Sequence, residues 1–477
     1  MINDKQFILG KEPHEALGWR NIVLNNGFVL SYQEKLKVWT DELGSVAILG
    51  NVWQVDQERR SPQDEILRLV VKKDFNVEDV FEVEKTWCGR YLLIVKDWVF
   101  TDAIGSLGVF YSENNISNSL NVLCEVERRS VVYPDIKHGL SPDFIPGMRT
   151  CYQDVKHLLP SQIYNLVTKE VQIRPLLPDG IVAANSDNDR ADLLEKYFVC
   201  SLQNMEKLFS GKEIWLALTG GRDSRAAMAF LEKAGVEYKT FTCEYSGIKP
   251  ADVDLPKRLS RRARKKHVFI KREKANYSQE RYDDYRIHSA GMAVDQDWNF
   301  YTYNQYQALA GKSEIVILRS SIWENVNDYY SHYCVDGNLD FEKIFPAIKV
   351  NDFLRDCLHE WYVYVQHDIV NDNALSIWNR MLWELRTGCW LSSIEQSFDM
   401  MEGITSIQLC NCRLFLSILA GFDQKDRVEK KHEEYIVRRV CPKLYKIPYD
   451  YQYVQKITMI KRVRKKFGKI YRSFVHR

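Results

Sequence analysis

The segment Ile214-Trp-Leu-Ala-Leu-Thr-Gly-Gly-Arg-Asp-Ser-Arg225 constrains this chain more than any other. Ile214 to Leu218 is a short apolar run of the kind buried in a parallel sheet. Ala226, Ala227, Met228, Phe230 and Leu231 read as a helix, which Gly235 can end. Thr219, Gly220, Gly221, Arg222, Asp223 and Ser224 join the two. Two glycines let backbone curl closely around an anion. A helix N-terminus adds free N–H groups and a positive dipole end. Thr219 and Ser224 supply hydroxyls, and Asp223 a carboxylate of the type that holds Mg²⁺. The loop therefore suits a polyphosphate with its metal. The plainer alternative is a βα turn that happens to carry two glycines.

The loop is not of the Walker A type, because no Gly-Lys-Ser/Thr follows at the required spacing. It resembles the pyrophosphate-binding Ser-Gly-Gly-x-Asp-Ser loop of the N-type ATP pyrophosphatases, with Thr219 in place of the first Ser. That resemblance implies ATP cleavage between the α and β phosphates, with AMP transferred to a substrate oxygen.

With 477 residues, two domains are expected, and 45% apolar content supports full cores. A net charge of +2 gives no support for a dedicated nucleic-acid binder. The start, Met-Ile-Asn-Asp-Lys, lacks a signal peptide, and no stretch approaches 18 uninterrupted apolar residues, so a cytoplasmic protein is expected. The eleven cysteines are scattered and contain no Cys-x-x-Cys; they read as reduced, mostly buried thiols rather than a zinc site.

Residues 1 to about 180 look β-rich. Tyr91–Val95 and Trp98–Thr101 read as strands around a Lys96-Asp97 turn, and Asp102 to Gly108 as a further turn before Val109-Phe-Tyr111. Leu177-Pro-Asp-Gly180 and Asn185-Ser-Asp-Asn-Asp189 mark a boundary. From about 190 the period changes. A helix at 190–209 precedes strand 214–218, helix 223–234, strand 238–243, a basic helix at 252–264 and strand 267–270; two helices and strand 314–318 follow. This alternation predicts a parallel α/β sheet with the loop at a strand's C-terminal end. Beyond 340 the chain is expected to be helical.

The order of these parts resembles the asparagine synthetase family. Gly89-Arg-Tyr-Leu-Leu and Thr101-Asp-Ala-Ile-Gly105 are similar to its first-domain strand and turn, and Thr150 with Val155-Lys-His-Leu-Leu-Pro160 to the segment closing that domain. Asp252-Val-Asp254 fits the helix after the second strand of the synthetase part. Trp383-Glu-Leu-Arg386-Thr-Gly-Cys-Trp390 and Cys441-Pro-Lys-Leu-Tyr-Lys-Ile-Pro448 resemble segments of relatives from surface-polysaccharide gene clusters. The resemblance implies an Ntn-hydrolase-like, glutaminase-derived domain over 1–185, an ATP-pyrophosphatase-type synthetase domain over 186–455 with a helical C-terminal part, and a tail over 456–477.

Two departures qualify what the family implies. Working glutaminases of the family carry Cys after the initiator Met, whereas position 2 here is Ile and the first Cys is Cys88. No glutamine hydrolysis is expected. Where the family shows Ser-Gly-Glu-Gly-x-Asp-Glu, this chain has Arg319-Ser-Ser-Ile-Trp-Glu324-Asn. Glu324 falls where a metal-binding Asp would, and Arg319 is placed to pair with a phosphate or carboxylate.

The resemblance thus implies an ATP-dependent, AMP-forming, amide-forming ligase using ATP and Mg²⁺. Its nucleotide site would draw on Leu218, Thr219, Gly220, Gly221, Arg222, Asp223, Ser224, Thr242 and Arg319, and its metal on Asp223 and Glu324. Lys430 and Lys431 are both candidates for a catalytic cation, and spacing does not choose between them. The expected partners are a small-molecule or sugar carboxylate and ammonia or an amine, with a homodimer as the assembly to test. Tyr301, Tyr303, Tyr306 and Trp323 are candidates for stacking on sugar faces, or for core. The basic run Arg258–Lys266 reads as a solvated helix face or a polyanion site. Lys456 to Arg477 has no acidic residue and an apolar stripe Ile457, Ile460, Val463, Phe467, Ile470, Phe474: either a docked last helix or a helix lying on an anionic membrane surface. A tRNA-modifying ATP pyrophosphatase and a non-catalytic binding protein are the rival functions.

Overall fold

The computed structural model describes residues 5–129, 141–142, 144–245, 247–271, 305–310, 314–333, 340–369, 375–401 and 403–454. Ile2, Tyr301, Tyr303, most of the stretch between 270 and 314 expected to hold two helices, and the tail 456–477 lie outside them; residues 305–310 of that stretch are helical. No described helix is long and apolar enough to cross a membrane.

Two antiparallel sheets come from the first 173 residues. In one, strands β1 (Phe7–Gly10), β2 (Trp19–Val23) and β3 (Val29–Gln33) join three short later strands in the order β10-β8-β9-β1-β3-β2, where β8 is Phe110–Tyr111, β9 Ile116–Ser117 and β10 Lys156–His157. In the other the order is β12-β11-β7-β6-β5-β4, with β4 Val38–Thr40, β5 Val46–Gln54, β6 Trp87–Val95, β7 Trp98–Thr101, β11 Gln162–Asn165 and β12 Val171–Ile173. Strand alternation explains how they stack. Leu92 and Ile94 of β6 face the first sheet, packing with Phe7, Leu9 and Leu30. Tyr91, Leu93 and Val95 face the other way, against Ile66, Leu69, Val80 and Phe81 of helices α1 (Pro62–Val70) and α2 (Glu78–Glu84). All nine β6 residues are therefore buried. Lys96, at φ 53°, makes the expected tight turn into β7.

The third sheet is wholly parallel. After α3 (Leu120–Val126), helix α4 (Asp187–Leu208), capped by Ser186, leads into β13 (Glu213–Ala217), α5 (Asp223–Ala234), β14 (Lys239–Cys243), α6 (Pro250–Ala263) and β15 (His267–Ile270); β16 is Ile315–Arg319 and β17 Ile404–Gln408. Gly235 ends α5 at φ 73°. The order is β15-β14-β13-β16-β17, so the winding reverses beside β13. Loops leaving the C-terminal ends of β13 and β16 then face each other across a crevice, where such sheets place ligands.

Strand β17 corrects the expectation that everything past 340 is helical. Ile404-Thr-Ser-Ile-Gln408 pairs in parallel with Ile315–Arg319. Its partner lies 89 residues upstream at matched positions such as Ile315↔Ile404, so no local periodicity announces it. The rest of that region includes the helices Asp352–Ile369, Arg413–Ala420 and Lys431–Val440, and an 11-residue π-helical stretch, Met381–Leu391.

The antiparallel and parallel parts are welded together. Trp53, Cys88 and Ile104 share one core with Phe198, Phe230 and Phe415. Arg90 grips Asp399 with two hydrogen bonds of 2.5 and 2.7 Å. Glu84, 1% exposed, accepts from Arg174 Nη1 at 3.0 Å, from Arg413 Nε at 2.9 Å and from Tyr91 OH at 2.9 Å. Both arginines also donate to the Pro160 carbonyl. One buried carboxylate thus offsets two buried guanidiniums contributed by distant stretches of the chain. Glu84→Gln leaves both cations without their counter-charge. It is expected to cost about 3–5 kcal/mol, read as a fall in the urea midpoint; an unchanged midpoint would show that solvent, not Glu84, balances them.

Candidate active site

The predicted loop folds as a self-bonded cradle. The Thr219 N–H donates to Ser224 Oγ at 3.1 Å, and the two hydroxyls are 3.1 Å apart. The Gly220 N–H donates to Asp252 Oδ1 at 2.8 Å, and Tyr245 OH holds the other oxygen of Asp252 at 3.0 Å. A Cβ on Gly220 would lie 3.0 Å from the Ala251 carbonyl oxygen, so close packing of the loop on α6 requires glycine. Leu218 is pinned from β14, its N–H bonded to Phe241 O and its carbonyl accepting from Thr242 Oγ1 at 2.6 Å. Asp223 opens α5, with its main-chain N–H at the positive end of the helix.

Two cavities meet at Asp223. One, about 330 Å³, lies over the ends of β13 and β14 and is lined by Leu218, Thr219, Asp223, Ser224, Thr242 and Tyr306 among others. The second, about 250 Å³, is lined by Asp223, Glu324, Asn325, Arg386 and Thr387 with neighbouring apolar residues. Asp223 and Ser321 belong to both walls.

Glu324 sits on the 3₁₀ turn Ser321–Val326 that follows β16, across the crevice from Asp223. Lys430 joins them. Its Nζ is 3.5 Å from Asp223 Oδ1 and makes a short ion pair with Glu324 Oε1. Lys430 takes a left-handed backbone, φ 55°, just before the helix Lys431–Val440. Burial opposes its charge, but Asp223, Glu433 and Glu324 outweigh burial and raise its pKa above the ordinary lysine value. Burial, then the charge of Asp223, raises the pKa of Glu324.

Glu433 was not anticipated. It is wholly buried beside Asp223, accepts from Asn327 Nδ2 at 3.2 Å, and its pKa is pushed well up by burial first and Asp223 second. It hides in the charged run Lys430-Lys-His-Glu-Glu434. The missed signal is spacing: Ile436, Val437 and Val440 follow at i+3, i+4 and i+7, so Glu433 lies on the apolar stripe of its helix.

The structure places the two lysines differently. Lys431 is exposed and paired with Glu429, away from Asp223, as a solvated surface lysine. The arginines are also placed. Arg222 Nε donates to Glu434 at 2.7 Å and packs over Tyr451; it does not line either cavity. Gly220 and Gly221 likewise line neither cavity. Arg319 reaches the first cavity, but the carboxylate it pairs with is the protein's own Glu395, at 2.6 Å. Trp323 is core, stacked near Phe198 and Phe230, while Tyr306 lines the first cavity. Arg258, Arg261, Arg262 and Arg264 border a surface depression with Lys443 that shares no lining residue with these cavities.

Asp223 and Glu324 fit a share in a Mg²⁺ ion. Asp223 Oδ1 is buried, with Lys430 Nζ at 3.5 Å and the Glu433 carboxyl beside Asp223. Mg²⁺ is usually held by one or two carboxylates with substrate phosphates and waters supplying the rest. No cluster of three or more metal-binding side chains occurs among the described residues, so the protein alone offers only that partial set. Cys88 is buried, and burial raises its thiol pKa well above the ordinary value, which leaves it inert as a nucleophile.

No family model and no curated protein matches this chain. Among solved structures, it is similar to a glutamine-dependent NAD+ synthetase from Acinetobacter baumannii in complex with ADP, at 11% identity and a TM-score of 0.23, over 40% of this chain and 35% of that one. An NMN synthetase from Francisella tularensis matches at 16% identity and a TM-score of 0.22, over 37% and 74% of the two chains. An NH3-dependent NAD synthetase from Campylobacter jejuni matches at 14% identity and a TM-score of 0.23, over 42% and 92%. This chain spans about a third of the first of these structures. Likeness of this extent does not place the chain in a family.

The raised pKa of Glu433 has a definite sign in stability. The folded protein keeps a proton that the unfolded chain releases above about pH 4.5. Within that window stability falls as pH rises, by up to about 1.4 kcal/mol per pH unit. Glu433→Gln keeps the acceptor for Asn327 and removes the titration. Its stability relative to wild type should rise between pH 5 and pH 8, measured by urea unfolding. A constant difference across that range would refute the assignment.

Proposed function

We propose that this chain is an ATP-dependent amide-forming ligase that makes AMP and pyrophosphate. The observation that carries the reading is the shared wall of Asp223 and Ser321 between two cavities at the sheet's switch point. A cavity beside a glycine loop and helix N-terminus suits a nucleotide polyphosphate. A second, smaller cavity opening on the same carboxylate suits the acid to be activated.

The proposed chemistry balances in two steps. An oxygen of the substrate carboxylate attacks the α-phosphorus of ATP, and the bond from that phosphorus to the bridging oxygen breaks, releasing pyrophosphate. Ammonia or an amine then attacks the acyl carbon; the bond to AMP breaks, and the nitrogen gives up a proton. Thr219, Ser224 and the first N–H groups of α5 hold the departing phosphates. The Lys430 ammonium, fixed by two carboxylates, supplies positive charge beside the transferring group. Asp223 and Glu324 would hold Mg²⁺, whose chemistry when bound is to offset charge on the departing pyrophosphate.

In this reading the β-rich part is a glutaminase-derived Ntn-type scaffold without its nucleophile, and the nitrogen arrives as ammonia or as an amine on the second substrate. Ile2 and the buried Cys88 support that view. The acid is proposed to be a uronic acid or a sugar-linked carboxylate, supported by the resemblance of residues 383–390 and 441–448 to polysaccharide-cluster relatives.

The test is nucleotide product analysis with purified protein over a panel of acids and amines. AMP and pyrophosphate are expected, and ADP as product would sink the reading. Asp223→Asn and Lys430→Ala should each lower turnover by about 10²–10³-fold, whereas Lys431→Ala should stay within about twofold of wild type, as surface ion pairs contribute little.

A further inference from the structure

Arg386 stands apart from every other arginine near the cavities. Arg222, Arg225 and Arg319 are committed to Glu434, to the carbonyls of Ile447 and Pro448, and to Glu395. Arg386 makes no hydrogen bond or ion pair with a described residue. Its guanidinium lies 3.4 Å from the centre of the Trp390 ring, which fixes its plane while leaving its N–H edge unused. It belongs to the π-helical stretch Met381–Leu391, a rare geometry that recurs at functional sites.

A second donor points the same way. Asn325 is wholly buried and lines the same cavity, and its Nδ2 has no partner. The Oδ1 of that amide accepts from Thr387 Oγ1 at 2.6 Å, so the orphan group is the donor. A buried amide N–H without a partner is costly and calls for an acceptor. Two cations, Lys430 and Arg386, stand beside the carboxyls of Asp223, Glu324 and Glu433.

From these observations we infer that Arg386 and Asn325 form the site for the carboxylate of the acid substrate, in the cavity that adjoins the nucleotide loop through Asp223 and Ser321. The inference rests on the ligase reading above and specifies its acid site. Fork-shaped guanidinium geometry matches a carboxylate with two parallel hydrogen bonds. At about 250 Å³ the cavity takes an acid the size of one amino acid or one sugar. An acid held there presents its charged end next to the nucleotide cavity, as attack on phosphorus requires. Asn325 and Arg386 are positioning residues that recognise the acid.

The full-length protein is titrated with aspartate and with glucuronate, and with their amides asparagine and glucuronamide, in the presence of a non-hydrolysable ATP analogue, following ligand NMR line broadening. Separate titrations measure binding of the analogue itself. At least one acid should bind wild type about tenfold or more tightly than its amide. In Arg386→Gln that preference should vanish, and Asn325→Ala should weaken acid binding while sparing the amide. Arg386→Lys should restore part of the preference. Analogue affinity and thermal midpoint should be unchanged in Arg386→Gln, which separates lost recognition from lost folding. Equal acid and amide binding by wild type, or an acid preference that survives Arg386→Gln, overturns the inference. Failure of wild type to bind the analogue overturns the ATP reading instead, and the acid titrations without nucleotide still decide the role of Arg386.

Discussion

Two carboxylates and one ammonium hold the crevice together. Asp223 comes from the loop after β13, Glu324 from the turn after β16, and Lys430 from the approach to a helix more than a hundred residues later. Asp223 and Glu324 alone would repel one another in a partly dry site, and Lys430 makes their approach tolerable. The same contact fixes the helix Lys431–Val440 against α5. Arg222 and Arg225 reinforce that seam through Glu434 and through the backbone at Ile447 and Pro448. The region beyond β17 thus serves as the third wall of the site rather than as an appendage.

How much of this was legible in the sequence depended on whether the signal was local. The β13–loop–α5 unit was, because burial, glycine geometry and helix capping all act within some twenty residues, and the helix runs from Asp223 to Ala234 as read. Glu324 was legible through its position after β16. Strand β17 was not, since what makes Ile404–Gln408 a strand is the open edge of β16 beside it. Glu433 was missed for the opposite reason: charge density drew the eye to a solvated face, while the helical stripe ending at Val440 carried the information. Arg386 appeared only as a letter in a resemblance, because a guanidinium left without a partner is a property of three dimensions.

Glu84 makes the same point for the two parts of the fold. It belongs to a helix of the β-rich part, yet one of the arginines it neutralises, Arg413, opens a helix that packs in the core of the parallel sheet. A buried charge trio of this kind is weak evidence for stability, since desolvation offsets much of the attraction. It does impose specificity: neither arginine can stay buried unless the two parts meet in one arrangement. Together with Arg90 on Asp399, it explains how the β-rich part stays integral to the molecule.

The placement of positive charge carries the last step. A site for a polyphosphate would be expected to display arginines, but the three nearest the loop are spent on the protein's own acceptors. What remains to meet a polyphosphate is the oriented main-chain N–H set of α5 with the hydroxyls of Thr219 and Ser224, and Lys430 behind Asp223. Such groups are held in place before any ligand arrives and need no reorganisation as charge moves. The one arginine beside the site with no hydrogen bond or ion pair among the described residues lies in the adjoining cavity on Trp390. On the proposed reading, backbone dipoles on one side of Asp223 and a guanidinium on the other would divide the crevice by the shape of anion each can grip: a chain of phosphates on the first, a planar carboxylate on the second.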